Sequence, residues 1–509
     1  MELVATEIGQ GEGSNFVLRR SFSAQLHKWS PAVAGSLFAR LLEQESGANW
    51  TFLIHTGSQT FIGASPERQI TLADGRAVMN PISGTYRYPD SGPDPDGALA
   101  FLSDQKESDE LYMVVDEELK MMADICPGGD IRVVGPLLKQ MTHVAHTEYY
   151  IEGQSTFDAR EVLRRSLPAP TVVGSPLESA CRVVSRYEPS GRGYYGGAVA
   201  LIGAESNGRS MMDSAILIRC AHVDGMGHLT IGVGATVVRD SDPEAEAAET
   251  RAKAAGLLRA LSGPLRSASQ LAPVIQLTAD PRIEQALTDR NAYLSPFWLA
   301  GRDVQTIRSP LSGIRILVID AEDSFTAMLA YQIRSLGATV TVVRYDDAAA
   351  VEPYDLTILG PGPGDPRDRG HPKIATLRAR TAMLIGTGRP FLAVCLGHQV
   401  LSDLLGLSLI RRDRPNQGTQ RVIDLFGQRV RVGFYNSHAA CAEADEAWTD
   451  GFAGPVRVSR DEITGEVHAL VGPHFRSFQF HPESILSQDG LTVLREALLA
   501  LRPVGFNWR

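Results

Sequence analysis

The sequence predicts two structural classes in one chain: a doubly wound, mostly parallel α/β unit towards the C-terminal end, preceded by an α+β half. Two observations carry the α/β prediction. From Arg315 onward short apolar strands alternate with helical stretches: Ile316-Leu-Val-Ile-Asp320, a helix to about Leu336, Thr339-Val-Thr-Val-Val343, then Leu356-Thr-Ile-Leu-Gly360. Such alternation builds a parallel sheet, whose ligands sit at the carboxyl ends of its strands. Farther on, Phe391-Leu-Ala-Val-Cys-Leu-Gly-His-Gln399 passes from an apolar strand through a sharp turn into a helix. A third observation separates the first half: the pattern changes to this alternation only from Arg315.

At 509 residues the chain is long enough for two or more domains, and 43% apolar residues are ordinary for a globular protein. A net charge of −10 offers no basic surface for nucleic acid or an anionic membrane. The five cysteines (126, 181, 220, 395 and 441) are scattered, odd in number and lack CxxC spacing. They argue against a disulfide framework or zinc site and favour a reducing cytoplasm. There is no signal peptide at the start and no apolar run of about 18 residues, so no membrane is expected.

In the first half, residues 14–20 predict a strand, Trp50 to His55 and Thr60 to Ala64 two more, and residues 198–240 a further group. Asn80-Pro-Ile-Ser-Gly-Thr85 places small hydroxylated residues between a Pro and a Gly, which suits close backbone approach to a ligand. Residues 104–125 predict a helix whose Leu111, Val114, Val115, Leu119 and Met122 pack one face. Its Glu107, Glu110 and Glu117 form a carboxylate stripe, commonly a solvated face. A second helix begins at Asp242 as cap with Pro243 in its first turn, carries Glu246 and Glu249, and runs to about Ala260. Carboxylates on two helices open the possibility of a hard-cation site, and magnesium often uses only one or two of them with the substrate's own oxygens. Residues 262–313 hold Pro264, Pro273, Pro281, Pro296 and Pro310 with little periodicity, and read as a connector with a short helix near 282–292.

Cys395 stands at the strand tip, where helix amides favour a thiolate nucleophile. Phe478-Gln-Phe-His-Pro-Glu-Ser484 supplies His481 as base and Glu483 to orient it. With Leu359-Gly-Pro-Gly-Pro-Gly-Asp-Pro366 upstream, these motifs resemble the class I glutamine amidotransferase domain. The resemblance implies glutamine hydrolysis, with the oxyanion held by the amides of Gly362 or Gly364 and Leu396, and with Gln399 and Ser437 in glutamine-binding positions. Ala393 replaces the family's usual Gly.

Ser65-Pro-Glu67, Pro81-Ile-Ser-Gly-Thr85, the Glu110 helix, His143, Arg192-Gly-Tyr-Tyr-Gly196, Ile218-Arg219, Gly234-Ala-Thr236 and Glu246-x-x-Glu249-x-x-x-Lys253 occur in the order of the chorismate-utilising enzymes. That resemblance implies an antiparallel sheet sandwich with helices, binding chorismate on Mg2+. It gives Glu110, Glu246 and Glu249 as metal carboxylates and Glu67 as the acid assisting departure of the C4 hydroxyl. Tyr195, Arg219, Lys253 and the backbone at Gly234 fall at carboxylate-binding positions, and Thr85 at a ring contact. Asn15 stands where water-adding members carry a Lys base; an amide cannot deprotonate water, so ammonia is the expected nucleophile. Gly174-Ser-Pro-Leu177, Gly234-Ala-Thr236, the segment Val115 to Ala123, and Met141-Thr-His-Val-Ala-His-Thr-Glu148 resemble the phenazine-type 2-amino-2-desoxyisochorismate synthases. His143 matches a His implicated in pyruvate elimination, but both groups share it. The family's usual N-terminal segment has no counterpart before the Asn15 strand.

The expectation is therefore a synthase domain at 1–262, a linker at 263–313 and an amidotransferase domain at 314–503. Chorismate and L-glutamine are the partners, with ammonia passing internally, in a cytoplasmic homodimer. The alternatives are a fused anthranilate synthase that goes on to eliminate pyruvate, and a truncated inactive scaffold.

Overall fold

The computed structural model describes residues 1–9, 11–128, 130–238, 241–262, 275–300, 309–347, 351, 353–447 and 455–501. The chain forms two compact units, Met1–Ala292 and Tyr293–Arg509. The connector expected at 263–313 is shared between them. Helix Pro281–Asp289 falls in the first unit and helix Pro296–Leu299 in the second, while 263–274 and 301–308 lie outside the described residues. The physical reason is burial: Leu277, Ile283 and Leu287 pack with Phe101 and Leu138 of the first unit, and Trp298 is fully buried in the second.

The first unit has two antiparallel sheets. One runs in the order Trp50–His55, Gln59–Ser65, Cys220–Asp224, His228–Val237, Asn15–Gln25 and Gly174–Ser175. The other runs Ala198–Ala204, Ser210–Ile216, Thr71–Ala73, Arg76–Met79, Val144–Gln154 and Ile82–Arg87, with Arg132–Gln140 also paired to Val144–Gln154. Of the strand group expected to end at residue 240, the last strand stops at Val237, and 239–240 lie outside the described residues. Helix Pro243–Ser262 starts where Asp242 accepts the Ala245 N–H at 2.7 Å. It buries Ala254, Leu257 and Ala260 against Leu37 and Leu41 of helix Pro31–Gln44.

Helix Gln105–Ile125 departs from the solvated stripe: Glu110, Asp116, Glu117, Glu118 and Lys120 are all buried. A buried charge must be paired or neutralised. Lys120 pairs with Glu117 at 2.5 Å, and the Ser175 hydroxyl donates to the same carboxylate. Two of the unusual segments, 115–123 and 174–177, thus meet in one buried network.

In the second unit the sheet order is Thr339–Arg344, Arg315–Asp320, Leu356–Leu359, Phe391–Val394, Phe475–Phe478, Val467–Val471, Val456–Arg460 and Glu446–Ala447. The first five strands are parallel and the last three antiparallel. Leu356–Leu359 and Phe391–Val394 are buried at every position, as parallel strands covered on both faces must be. A long hairpin, Ser408–Leu425 with Gln428–Cys441, is a large element of this unit that the strand–helix pattern did not announce.

Candidate functional site

The second unit builds its site at the carboxyl end of the parallel strands. Cys395 follows strand Phe391–Val394 and precedes helix Leu396–Leu404, with φ 50° and ψ −103°. A non-glycine residue in that region is strained, and the strain is held by the Cys395 N–H donating to Phe478 O at 2.8 Å. Gly397 is needed because a Cβ there would lie 2.5 Å from Leu359 O. Ala393, by contrast, sits fully buried in the regular strand, so its extra methyl is accommodated.

His481 and Glu483 follow the neighbouring strand Phe475–Phe478, and His481 Nδ1 meets Glu483 Oε1 at 2.9 Å. Phe325 covers the imidazole, with ring centroids 4.3 Å apart. Burial opposes charge on His481, but Cys395 and then Glu483 outweigh it and hold its pKa well above the ordinary range. The Cys395 sulfur lies 3.7 Å from Tyr435 O and 3.9 Å from Gln479 Nε2.

Gly362 and Gly364 occupy the loop after Leu356–Leu359, and Leu396 opens the helix. Gly364 has φ 131°, and a Cβ on Gly362 would collide with Ala321 O. Gln399 is buried and donates from Nε2 to His438 O at 2.8 Å and Gln479 Oε1 at 3.1 Å. Ser437 is half-buried on strand Gln428–Cys441.

The first unit places its groups around a cavity walled by both sheets and by helices Gln105–Ile125 and Pro243–Ser262. The helices contribute Glu110, Glu249 and Lys253. The strands and loops contribute Glu67, Thr85, Tyr195, Arg219 and Gly234. Eight separately numbered candidates therefore converge on one cavity.

Lys253 Nζ is 2.6 Å from Glu249 Oε1 and donates to Gly234 O at 3.3 Å. Burial opposes ionisation of Glu249, but Lys253 attraction, helped by the Thr85 hydroxyl at 3.1 Å, takes its pKa down to about 2. Glu110 accepts from Ser83 Oγ at 2.7 Å, yet burial and repulsion from Glu107 and Glu249 push it up to about 7. Glu67 is pushed up to about 8 by burial, only partly offset by the nearby Thr171 hydroxyl and Ile82 backbone. Its Oε1 is buried without a hydrogen-bond partner among the described residues. Burial also takes Tyr195 up to about 12, so its hydroxyl stays protonated. Glycine is required opposite it, because a Cβ at Gly232 would lie 2.7 Å from the Tyr195 ring and one at Gly234 would meet its hydroxyl.

Two candidates are not brought to the cavity wall. Glu246 lies one helical turn before Glu249 and is held by Lys106 Nζ at 3.1 Å and Ser241 Oγ at 2.8 Å. His143 instead faces Arg259, whose Nη1 lies 3.0 Å from Nε2, and burial and Arg259 take its pKa down to about 4. The histidine at the cavity is His146. Its Nδ1 donates to Gly84 O at 2.7 Å, so Nε2 is the acceptor facing Arg219 Nη2 at 3.1 Å. Burial and Arg219 bring its pKa to about 3, so it stays neutral. Arg219 itself has φ 51°, a second strained residue at a wall. Asn15 is buried and paired with Ser175 rather than lining the cavity; Val17, two residues on, lines it, and neither side chain is a base. Thr236, one of the unusual residues, is also on the wall.

Among the described residues no group of three His, Cys, Asp or Glu side chains is arranged to hold a metal ion. The donor chemistry nevertheless fits a hard cation: Glu110 and Glu249 both line the cavity and repel each other, Glu107 adds to the repulsion from outside the wall, and oxygen ligands are what magnesium takes. No helix among the described residues is long and apolar enough to cross a membrane.

Comparison with known proteins matches one family to each unit. Residues 1–259 match the family model of chorismate binding enzymes, and residues 317–501 that of class-I glutamine amidotransferases. The chain is 55% identical to the phenazine-specific anthranilate synthase of Pseudomonas chlororaphis over 98% of its own length and 77% of that protein. The phenazine-specific enzyme of Pseudomonas fluorescens matches with the same identity and coverage. An anthranilate synthase of Azospirillum brasilense is 31% identical over 90% of this chain and 58% of that protein. Carrying both domains in one polypeptide, this chain belongs to the chorismate-binding enzymes, in the branch fused to a class-I glutamine amidotransferase that includes the phenazine-specific anthranilate synthases.

Proposed function

We propose that the chain is a glutamine-dependent 2-amino-2-desoxyisochorismate synthase, which aminates chorismate at C2, loses the C4 hydroxyl and stops there. The observation that carries the reading is the 55% identity to phenazine-specific enzymes, running through both catalytic units. The cavity histidine supports the same product: both nitrogens of His146 are engaged, so it offers no free base for the deprotonation that pyruvate elimination needs.

In the second unit, Cys395 attacks the glutamine side-chain amide carbon. Amides at Gly362 or Gly364 and at Leu396 hold the oxyanion, a donor worth about 10²–10³ in rate where it has been removed. His481, oriented by Glu483, gives its proton to the departing ammonia and then takes one from the water that releases glutamate from the thioester.

In the first unit, Arg219, Lys253, Tyr195 and the backbone at Gly234 bind the substrate carboxylates, and Thr85 contacts the ring. Ammonia adds at C2 while the ring double bonds shift, and Glu67, protonated near neutrality, gives its proton to the leaving C4 hydroxyl, which departs as water. The added nitrogen then sheds one proton, restoring the balance. Glu110 and Glu249 are the residues that would hold magnesium, which when bound would offset the carboxylate charges and polarise the substrate's oxygens. A cytoplasmic homodimer completes the proposal.

Product identification by mass spectrometry tests it: purified protein with chorismate, Mg2+ and glutamine should yield 2-amino-2-desoxyisochorismate and glutamate. Blue-fluorescent anthranilate formed without added enzymes would move the assignment to a pyruvate-eliminating synthase.

A further inference from the structure

Glu483 orients the catalytic imidazole with a single side-chain hydrogen bond. Its Oε1 meets His481 Nδ1 at 2.9 Å, while Oε2 is buried without a partner among the described residues. The direction of this carboxylate is therefore set by its own main chain. That main chain is gripped by the short segment 293–300. Trp298 Nε1 donates to Glu483 O at 2.9 Å, and two residues on, the Ser295 N–H donates to Ile485 O at 2.8 Å. Gln332 Nε2 approaches the same Glu483 oxygen only at 3.5 Å.

Trp298 is fully buried and its ring is fixed. It stacks on Tyr331 with centroids 5.5 Å apart and meets Phe297 edge-on at 4.8 Å. An indole N–H can only donate, and here its acceptor is the backbone of the residue that orients the base.

We propose that Trp298 is a positioning residue for glutamine hydrolysis: its N–H fixes the Glu483 main chain, and through it the His481 imidazole against Cys395. The inference rests on the glutaminase reading of Cys395, His481 and Glu483. Its consequence is specific. Loosening Glu483 weakens the support of the charged imidazole without touching the surfaces that bind glutamine.

Trp298→Phe in the full chain keeps an aromatic ring at the site and removes the donor. Glutamine hydrolysis should lose about tenfold in kcat, less than the ~10²-fold that a 1 Å misplacement costs. KM for glutamine should stay within about twofold, since no binding group is touched. The alkaline limb of the kcat profile should move to lower pH, because the imidazolium loses part of its carboxylate support. Ammonium-dependent amination of chorismate should be unchanged.

Wild-type hydrolysis measured in parallel separates the two claims. No hydrolysis by the wild type would remove the glutaminase reading itself, whereas normal wild-type hydrolysis with an unshifted Trp298→Phe profile and kcat would overturn the positioning role. Should Trp298→Phe melt early, both enzymes are assayed below its transition, where a kcat loss with the alkaline limb moved to lower pH supports the role and an unchanged kcat and profile overturns it.

Discussion

The sulfur site of the second unit and the carboxylate cavity of the first differ in how far the chain travels to make them. Cys395 and His481 follow two adjacent parallel strands, Phe391–Val394 and Phe475–Phe478, so sheet pairing alone sets them side by side. The cavity instead draws Glu67, Glu110, His146, Arg219 and Glu249 from separate strands, loops and helices spread over nearly two hundred positions. The first arrangement stores its specificity in local strain, at a cysteine with φ 50°. The second stores it in buried charge, with one carboxyl pushed up to about 8 and another down to about 2 within the same cavity. A strained turn serves one nucleophile; opposed carboxyl pKa values supply an acid and a permanent anion from the same residue type.

The sharpest way to break this comparison is Cys395→Ser. Glutamine-dependent product should fall below detection, while high ammonium still supports amination. Failure of ammonium to rescue would mean the two sites are not separable.

Glu67→Gln makes the reciprocal cut. Loss of a general acid typically costs about 10²–10⁴ in rate, so amination should drop by that order while glutamine hydrolysis persists. Its sign with pH is also fixed. Burial holds the Glu67 proton up to about pH 8, so wild-type amination with ammonia in constant supply should fall as pH rises through that value. A flat profile in the wild type would remove Glu67 as the acid.

Glu249→Gln should lower amination by at least about 10–100-fold, the range for groups that only support a metal's ligands. The magnesium concentration for half-maximal rate should rise with it, and an unchanged magnesium requirement would take Glu249 out of the ligand set.

His146→Ala is expected to be mildest. It removes the acceptor that steadies Arg219, and hydrogen bonds to charged groups contribute about 1.5–3 kcal/mol. KM for chorismate should rise about tenfold with kcat little changed; a selective fall in kcat would instead give His146 a part in the chemistry.

The same contrast explains what could be read from the chain. The sulfur site was legible because its geometry is local: an apolar strand, a cysteine, a glycine two positions on, and a His-Pro-Glu loop. The cavity was legible only through many weak motifs in order, and its details followed tertiary packing. His146 carried no periodic signal, since residues 144–148 are buried on both faces of their strand. His143, one residue before that strand, turns to Arg259. Glu246 and Glu249 share a helix, but three residues leave their side chains about 60° apart around the axis, and Lys106 and Ser241 hold the first away from the wall. The carboxylates of Gln105–Ile125 looked solvated because their partners, Lys120 apart, lie far along the chain: Ser83 for Glu110 and Ser175 for Glu117.

The central claim is that nitrogen freed by Cys395 is consumed in the Glu67 cavity. Glutamine carrying heavy nitrogen in its side-chain amide, supplied with chorismate, Mg2+ and a trace of unlabelled ammonium, tests this directly. The account predicts the label in the amino group of 2-amino-2-desoxyisochorismate; an unlabelled product formed beside labelled free ammonia would contradict it.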